Sequence, residues 1–178
     1  MRLLSPIIFF TVFLFAAAGT IRASEMHLEP YQGSPDFERL KNLAGIWKGT
    51  HVSTGEAPTD AAVEYAVTSN GSAVVEKLFP GTSHEMVTVY HDNKDGKPSM
   101  IHYCGFGNRP EMNLVSADDF SMSFSFSEKS DIDPAKEPHM HSLTLAMSEP
   151  GKLTHTWILY RDGKESGKTV IDLTRFTA

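Results

Sequence analysis

The 178-residue chain is poor in cysteine: Cys104 is the only one, so no intrachain disulfide can form and stability must come from packing. It also lacks a Lys/Arg cluster and carries a formal net charge of −6, a balance ill suited to nucleic acid or an anionic membrane surface. No G-x-S-x-G elbow, H-E-x-x-H helix or Walker loop is present, and the lone G-x-G at Gly105–Gly107 precedes no helix. Heptads, long repeats and low-complexity linkers are absent too. These absences exclude the hydrolase, zincin and nucleotide-binding signatures, and leave one compact domain as the simple expectation.

What is present begins with an export-type leader. Arg2 supplies a positive start, Ile7–Ala18 (IIFFTVFLFAAA) is apolar, and small residues follow. The run is shorter than the roughly 20 residues of a spanning helix, so residues 1–23 are expected to be a signal peptide removed on export. A periplasmic or secreted protein without stable membrane insertion is then expected. Loss of Arg2 and Arg22, with no acid, takes the net charge from −6 to −8.

Residues 24–33 read as a flexible segment. Ser34 can cap a short helix, with Pro35 at its first position and Asp36 and Glu38 in its first turn. Phe37, Leu40 and Leu43 share one face, and Gly45 suits the stop. Beyond Gly45 the chain is strand-like, broken by Asn70-Gly71, Pro80-Gly81, Asp95-Gly96, Pro150-Gly151 and Asp162-Gly163. Strands are expected near 46–53, 62–69, 72–79, 84–91, 99–106, 112–117, 120–128, 139–147, 152–160 and 168–176. About ten short antiparallel strands with one short N-terminal helix predict an all-β, up-and-down barrel or sandwich over residues 34–178.

Periodicity assigns faces. Phe120, Met122, Phe124 and Phe126 alternate with serines, the mark of a half-buried strand. A type I′ turn at Asn70-Gly71 sets Tyr65 opposite Glu76 and Val67 opposite Val74 on the apolar side, with Glu64 opposite Lys77 outside. Glu76 is therefore an interior carboxylate, which costs several kcal/mol unless it is paired, hydrogen-bonded or protonated. A four-residue Pro80–Ser83 connection continues the inner face through Glu85, Val87, Val89 and His91, and a two-residue Asp95-Gly96 turn adds Met100, His102 and Cys104. One residue of slippage substitutes Met86, Thr88, Tyr90 and Tyr103. Late in the chain, Leu153, His155, Trp157 and Leu159 share a face, as do Ile171, Leu173 and Arg175.

Glu76, Glu85, His102 and Cys104 fall on three adjacent strands, and they admit three readings: a cluster facing a ligand, a transition-metal site, or a buried hydrogen-bonded network. Nothing short-spaced supports the metal. Asn108 and Arg109, in a rigid Gly/Asn/Pro turn, are candidates to fix an anionic head group at a barrel mouth. His139 and His141 are spaced for chelation, yet their acidic, loop-like surroundings point to a solvated strand entrance.

The segment Leu43-Ala-Gly-Ile-Trp-Lys-Gly49, with Arg175 near the end of the last strand, resembles the calycin superfamily of lipocalins and fatty-acid-binding proteins. That resemblance implies a closed barrel with the arginine packed over the tryptophan. LAGIWKG, HYCGFGNRPEM and THTWILYRDGK…LTRF together resemble an uncharacterised domain-of-unknown-function family of bacterial proteins, over nearly all of 37–177, which implies no particular reaction. A likeness through G-x-W extends to nitrobindin-like haem barrels; these need a late-strand histidine, for which His155 is the candidate, and the rest of their pattern is missing.

The expectation is an exported carrier or sensor for a small, partly apolar molecule, without an assigned cofactor. Its site residues would be Glu76, Glu85, His102, Cys104, Asn108, Arg109, Phe124 and Trp157. The alternatives are an enzyme using Glu76 or His102 as base beside Cys104, or a haem- or metal-binding barrel.

Overall fold

The computed structural model describes residues 28–177; the expected signal peptide lies outside them. Ten strands form one closed antiparallel barrel in which each strand pairs with its sequence neighbours and the last pairs with the first. They are β1 (Gly45–Ser53), β2 (Thr59–Thr68), β3 (Ala73–Leu78), β4 (Met86–Asp92), β5 (Pro98–Tyr103), β6 (Glu111–Asp118), β7 (Ser121–Phe126), β8 (His139–Ala146), β9 (Lys152–Arg161) and β10 (Lys164–Arg175). The single α-helix among the described residues, α1 (Pro35–Lys41), precedes them. Closure leaves no sheet edge, so no row of backbone donors needs covering.

Helix α1 starts where its sequence says it should. The Ser34 hydroxyl accepts from the Phe37 amide, and Ser34 is itself held by Asp92 at the end of β4, at 2.6 Å to its amide and 2.8 Å to its hydroxyl. The helix ends at Asn42 rather than at Gly45, which instead opens β1. Phe37 and Leu40 are fully buried, so α1 plugs the barrel end at which β1 begins. Leu28–Gly33, part of the segment expected to be flexible, is tied to the barrel: the Tyr31 amide donates to the Asn70 carbonyl, and the Asn70 amide group to that of Glu29.

The plug is clamped by two side chains. Arg175 lies with its guanidinium 4.3 Å from the Trp47 ring and donates to the Ala44 and Asn42 carbonyls at 2.6 and 2.7 Å. Trp47 donates its indole N–H to the Leu43 carbonyl at 2.8 Å. One cation therefore stacks on the first strand, belongs to the last, and satisfies carbonyls at the helix C-terminus. The glycines of the G-I-W-K-G run are required by this packing. A Cβ at Gly49 would stand 1.8 Å from the Asp172 carbonyl oxygen, and Gly45 takes φ +127° beside the guanidinium.

Arg175→Ala is expected to lower the unfolding free energy by about 2–4 kcal/mol in urea titration, since it removes a cation–π contact and leaves two carbonyls unpaired. Lysine at this position should recover less than half of the loss, because it cannot reach both carbonyls in the same way.

Candidate functional site

The register carries the interior chemistry. The Asn70-Gly71 turn has both residues at positive φ, 52° and 87°, and β3 pairs with β2 as the turn dictates: Tyr65 opposite Glu76, Val67 opposite Val74. Glu76 is fully buried. Its carboxylate accepts from the Tyr65 hydroxyl at 2.9 Å and the Tyr90 hydroxyl at 2.9 Å. The Tyr65 oxygen also meets His155 Nε2 at 2.9 Å, while His155 Nδ1 stands 3.4 Å from the carboxylate. Thr88 faces Glu76 directly across the ladder, and its hydroxyl helps hold the charged carboxylate. Thr88 in turn meets His102 Nδ1 at 3.0 Å.

A chain of hydrogen-bonded groups therefore runs from His155 through Tyr65 and Glu76 to Tyr90, with Thr88 linking it to His102. Burial raises the Glu76 pKa despite its donors, and burial with the neighbouring carboxylate sends both tyrosines well above 10. Burial alone pulls His102 down to about 4 and His155 to about 3, so both imidazoles are neutral at pH 7.

Several expected site residues sit elsewhere. The β3–β4 connection is Phe79–Glu85, not four residues, so Leu78 pairs with Met86 and β4 turns Met86, Thr88 and Tyr90 inward. Glu85 is exposed and accepts from the Gly81 amide at 2.6 Å, bracing that loop. Val87, Val89 and His91 leave the inner face with it. The β4–β5 connection is also longer than expected: Asp92 pairs with Pro98 around an Asn93-centred turn. The two displacements cancel, so Met100 and His102 are buried in the interior as the sequence indicated.

Cys104 lies past the end of β5, half-buried in a loop closed by its own amide donating to the Asn108 carbonyl. Burial pushes its thiol up, the opposite of an activated nucleophile. Asn108 donates to the Pro138 carbonyl at 2.9 Å, and Arg109 pairs with Asp131. These three line a surface groove outside the barrel, so they do not join Glu76 and His102. Phe120 occupies the β6–β7 turn, exposed. His139, expected at a solvated entrance, is fully buried, and its Nε2 meets His141 Nδ1 at 3.2 Å. Among the described residues no three His, Cys, Asp or Glu side chains converge as a metal site.

The interior divides into two halves. Towards α1 it is filled by side chains, among them Phe124 against Tyr90 with ring centroids 5.7 Å apart. At the other end a cavity of about 160 Å³ remains, walled by Leu78, Met86, Met140, Ile171, His102 and Trp157. His102 packs on Trp157 with ring centroids 4.5 Å apart. His102 Nε2 and Trp157 Nε1 are buried and have no hydrogen-bond partner among the described residues. Phe79 and His51, in edge-to-face contact at 5.2 Å, separate this cavity from a larger outer groove containing Glu56, Asp60 and His84. Phe79 has φ +54°, a conformation that bulky residues adopt only under constraint.

Sequence reasoning placed Glu76, His102, Phe124 and Trp157 in the interior but missed Thr88, Phe79 and Met140. Thr88 and Met86 belonged to the alternative register. Met140 faces inward because β8 bulges between Met140 and Ser142, and no residue type announces a bulge there. A haem is poorly matched: His155 is sealed in the Tyr65–Glu76 cluster, and the cavity is smaller than a macrocycle.

The buried groups set the sign of the pH response. His102 and His155 have folded pKa values below the ordinary 6.5, so the unfolded chain binds more protons and their contribution to stability grows as pH rises from about 3 to 6.5. Glu76 acts in the opposite sense: its raised folded value means stability is lost as pH climbs through it from the ordinary 4.5. With two imidazoles against one carboxylate, stability in urea should increase between pH 4 and 6.5. His155→Gln should flatten that slope, and a pH-independent wild type would contradict the burial of the two rings.

No family model matches the chain, and no curated protein matches it. Among solved structures it is similar to a protein of unknown function from the DUF3598 family of Nostoc punctiforme, at 11% identity and a TM-score of 0.53. The match covers 84% of this chain and 51% of that one, so the chain spans about half that protein's length. A redesigned β-barrel aligns at 13% identity over 78% of this chain and 95% of its own, with a TM-score of 0.36, too low to carry an argument. At these identities the likeness shows the fold alone: a closed ten-strand barrel of a kind found in a family without an assigned function.

Proposed function

We propose that the chain is an exported, calycin-like carrier or sensor that holds a small, largely apolar molecule in the barrel end opposite α1. The observation carrying this reading is the mainly apolar cavity of about 160 Å³ that the side chains leave at that end of the barrel. The cavity is modest: a dry apolar space of about 150 Å³ accommodates a benzene-sized guest. The molecule enters past Phe79 and His51, whose contact screens the cavity from the outer groove.

In this reading Glu76 is one layer below the ligand and acts through Thr88, which fixes the His102 ring. Trp157 supplies contact area, while Phe124 supports the layer beneath. Export and the signal peptide at 1–23 are part of the same proposal, and the Trp47–Arg175 clamp is the feature that favours a calycin-like kinship.

Native mass spectrometry of protein purified from an expressing culture should find a small molecule bound in part of the population. Met140→Trp, which fills the cavity with an indole, should reduce that occupancy at least tenfold while the fold persists. A ligand retained in full by Met140→Trp would place binding elsewhere and overturn the proposal.

A further inference from the structure

The start of β8 carries two imidazoles that neither line the cavity nor join the Glu76 layer. We infer that His139 and His141 form a two-nitrogen site for a late first-row transition-metal dication, of the Zn2+ and Cu2+ class, held by His139 Nε2 and His141 Nδ1.

The two nitrogens face each other in a hydrogen bond of 3.2 Å. A tetrahedral ion with bonds of about 2.0–2.1 Å sets its nitrogens about 3.3–3.4 Å apart, and ligands at right angles stand about 2.8–3.0 Å apart. The observed spacing falls between the two, so an ion can replace the shared proton after a tilt of each ring. His139 already has the tautomer of a ligand. Its Nδ1 lies 2.8 Å from the Glu137 carbonyl oxygen, which can only accept, so Nδ1 carries the proton. Nε2 of the neutral ring then presents a lone pair towards His141. A ring N–H given to a backbone carbonyl is also the common support of a metal-bound histidine. Without metal, His141 donates from Nδ1 to that lone pair. On binding, its proton shifts to Nε2 and Nδ1 is left for the ion.

Packing holds both rings in place. The bulge in β8 falls between Met140 and Ser142, which makes His141 the residue without a partner in the ladder to β9. Its ring stacks on Tyr160 with centroids 3.8 Å apart and planes 10° apart, and on Phe126 at 5.5 Å and 15°. His139 is fully buried and packs on Phe126 at 4.6 Å. Rings fixed in this way lose little freedom when they bind. His141 is partly exposed, so the pair is reached from its side.

Among the described residues no third His, Cys, Asp or Glu completes the set, so water or a small exogenous ligand fills the remaining positions. Such an ion is exchangeable rather than structural. With imidazole as the only protein ligand, Cu2+ should bind more tightly than Zn2+, and Mg2+, which takes oxygen ligands, should not bind.

The test titrates Zn2+ into untagged wild-type protein carrying isotope-labelled histidine at pH 7, followed by long-range proton–nitrogen spectra of the imidazoles. Before metal, His139 should be protonated at Nδ1. Zn2+ should shift the His139 Nε2 and His141 Nδ1 resonances saturably, and Mg2+ should leave them in place. His141→Phe, which keeps an aromatic ring against Tyr160, should weaken Zn2+ binding at least tenfold. The wild-type nitrogen shifts decide the matter even if that variant fails to fold. Absence of saturable Zn2+ binding, or binding that leaves these two nitrogens unmoved, would overturn the site. Undiminished binding by folded His141→Phe would overturn it too. None of these outcomes bears on the barrel cavity, so the carrier reading stands or falls separately.

Discussion

A ten-strand sheet becomes a barrel only when its first strand hydrogen-bonds to its last, and the whole interior depends on that closure. Here the β1–β10 seam is reinforced by Arg175, which joins cation–π stacking on Trp47 to hydrogen bonds with the carbonyls that follow α1. Gly49 allows the two backbones to approach where any side chain would meet the Asp172 carbonyl. The seam and the helix plug are thus one unit. Because they shut only one end, the barrel acquires a direction: packed near α1, with a cavity left at the far end.

Between plug and cavity lies the layer built on Glu76. A carboxylate sealed from water without a cation is tolerable only if its lone pairs are occupied, and Tyr65 and Tyr90 supply hydroxyl donors from β2 and β4. Thr88, opposite Glu76 on β4, meets His102 Nδ1 and so joins this layer to the wall of the cavity, whose lining is mainly apolar. Neutral imidazoles follow from the same burial.

The positions and number of the strands were legible because alternating apolar residues and Gly-containing turns are local signals. The face of β3 was legible as well, since the Asn70-Gly71 turn permits one short pairing and so points Tyr65 and Glu76 at each other. The face of β4 was not. Phe79–Glu85 spans seven residues, and in loops of that length turn chemistry no longer counts residues across the gap. Glu85 was therefore placed inside when it braces a loop outside. The inward setting of His102 was reached through two displacements of one residue that cancelled, at Phe79–Glu85 and at Asn93–Lys97. Cys104 was assigned to the inner face and Asn108 and Arg109 to a barrel mouth because they follow His102 in sequence, but the strand ends at Tyr103 and the chain turns away.

What the sequence by itself determined is the set of locally encoded features: ten short strands, a capped helix, an apolar wall from Met122 to Phe124, and a carboxylate on the inner face of β3. What only the tertiary structure decided is which groups meet across the barrel. Tyr65 and His155 are 90 residues apart, and Thr88 reaches His102 only once the register between β4 and β5 is set. The bulge that turns Met140 inward and the gap left beside Trp157 likewise arise from how ten strands close together. The physical reason is the range of the forces. Periodicity and turn preference act over a few neighbouring residues, whereas closure, register and the residual space of a barrel are properties of all the strands at once.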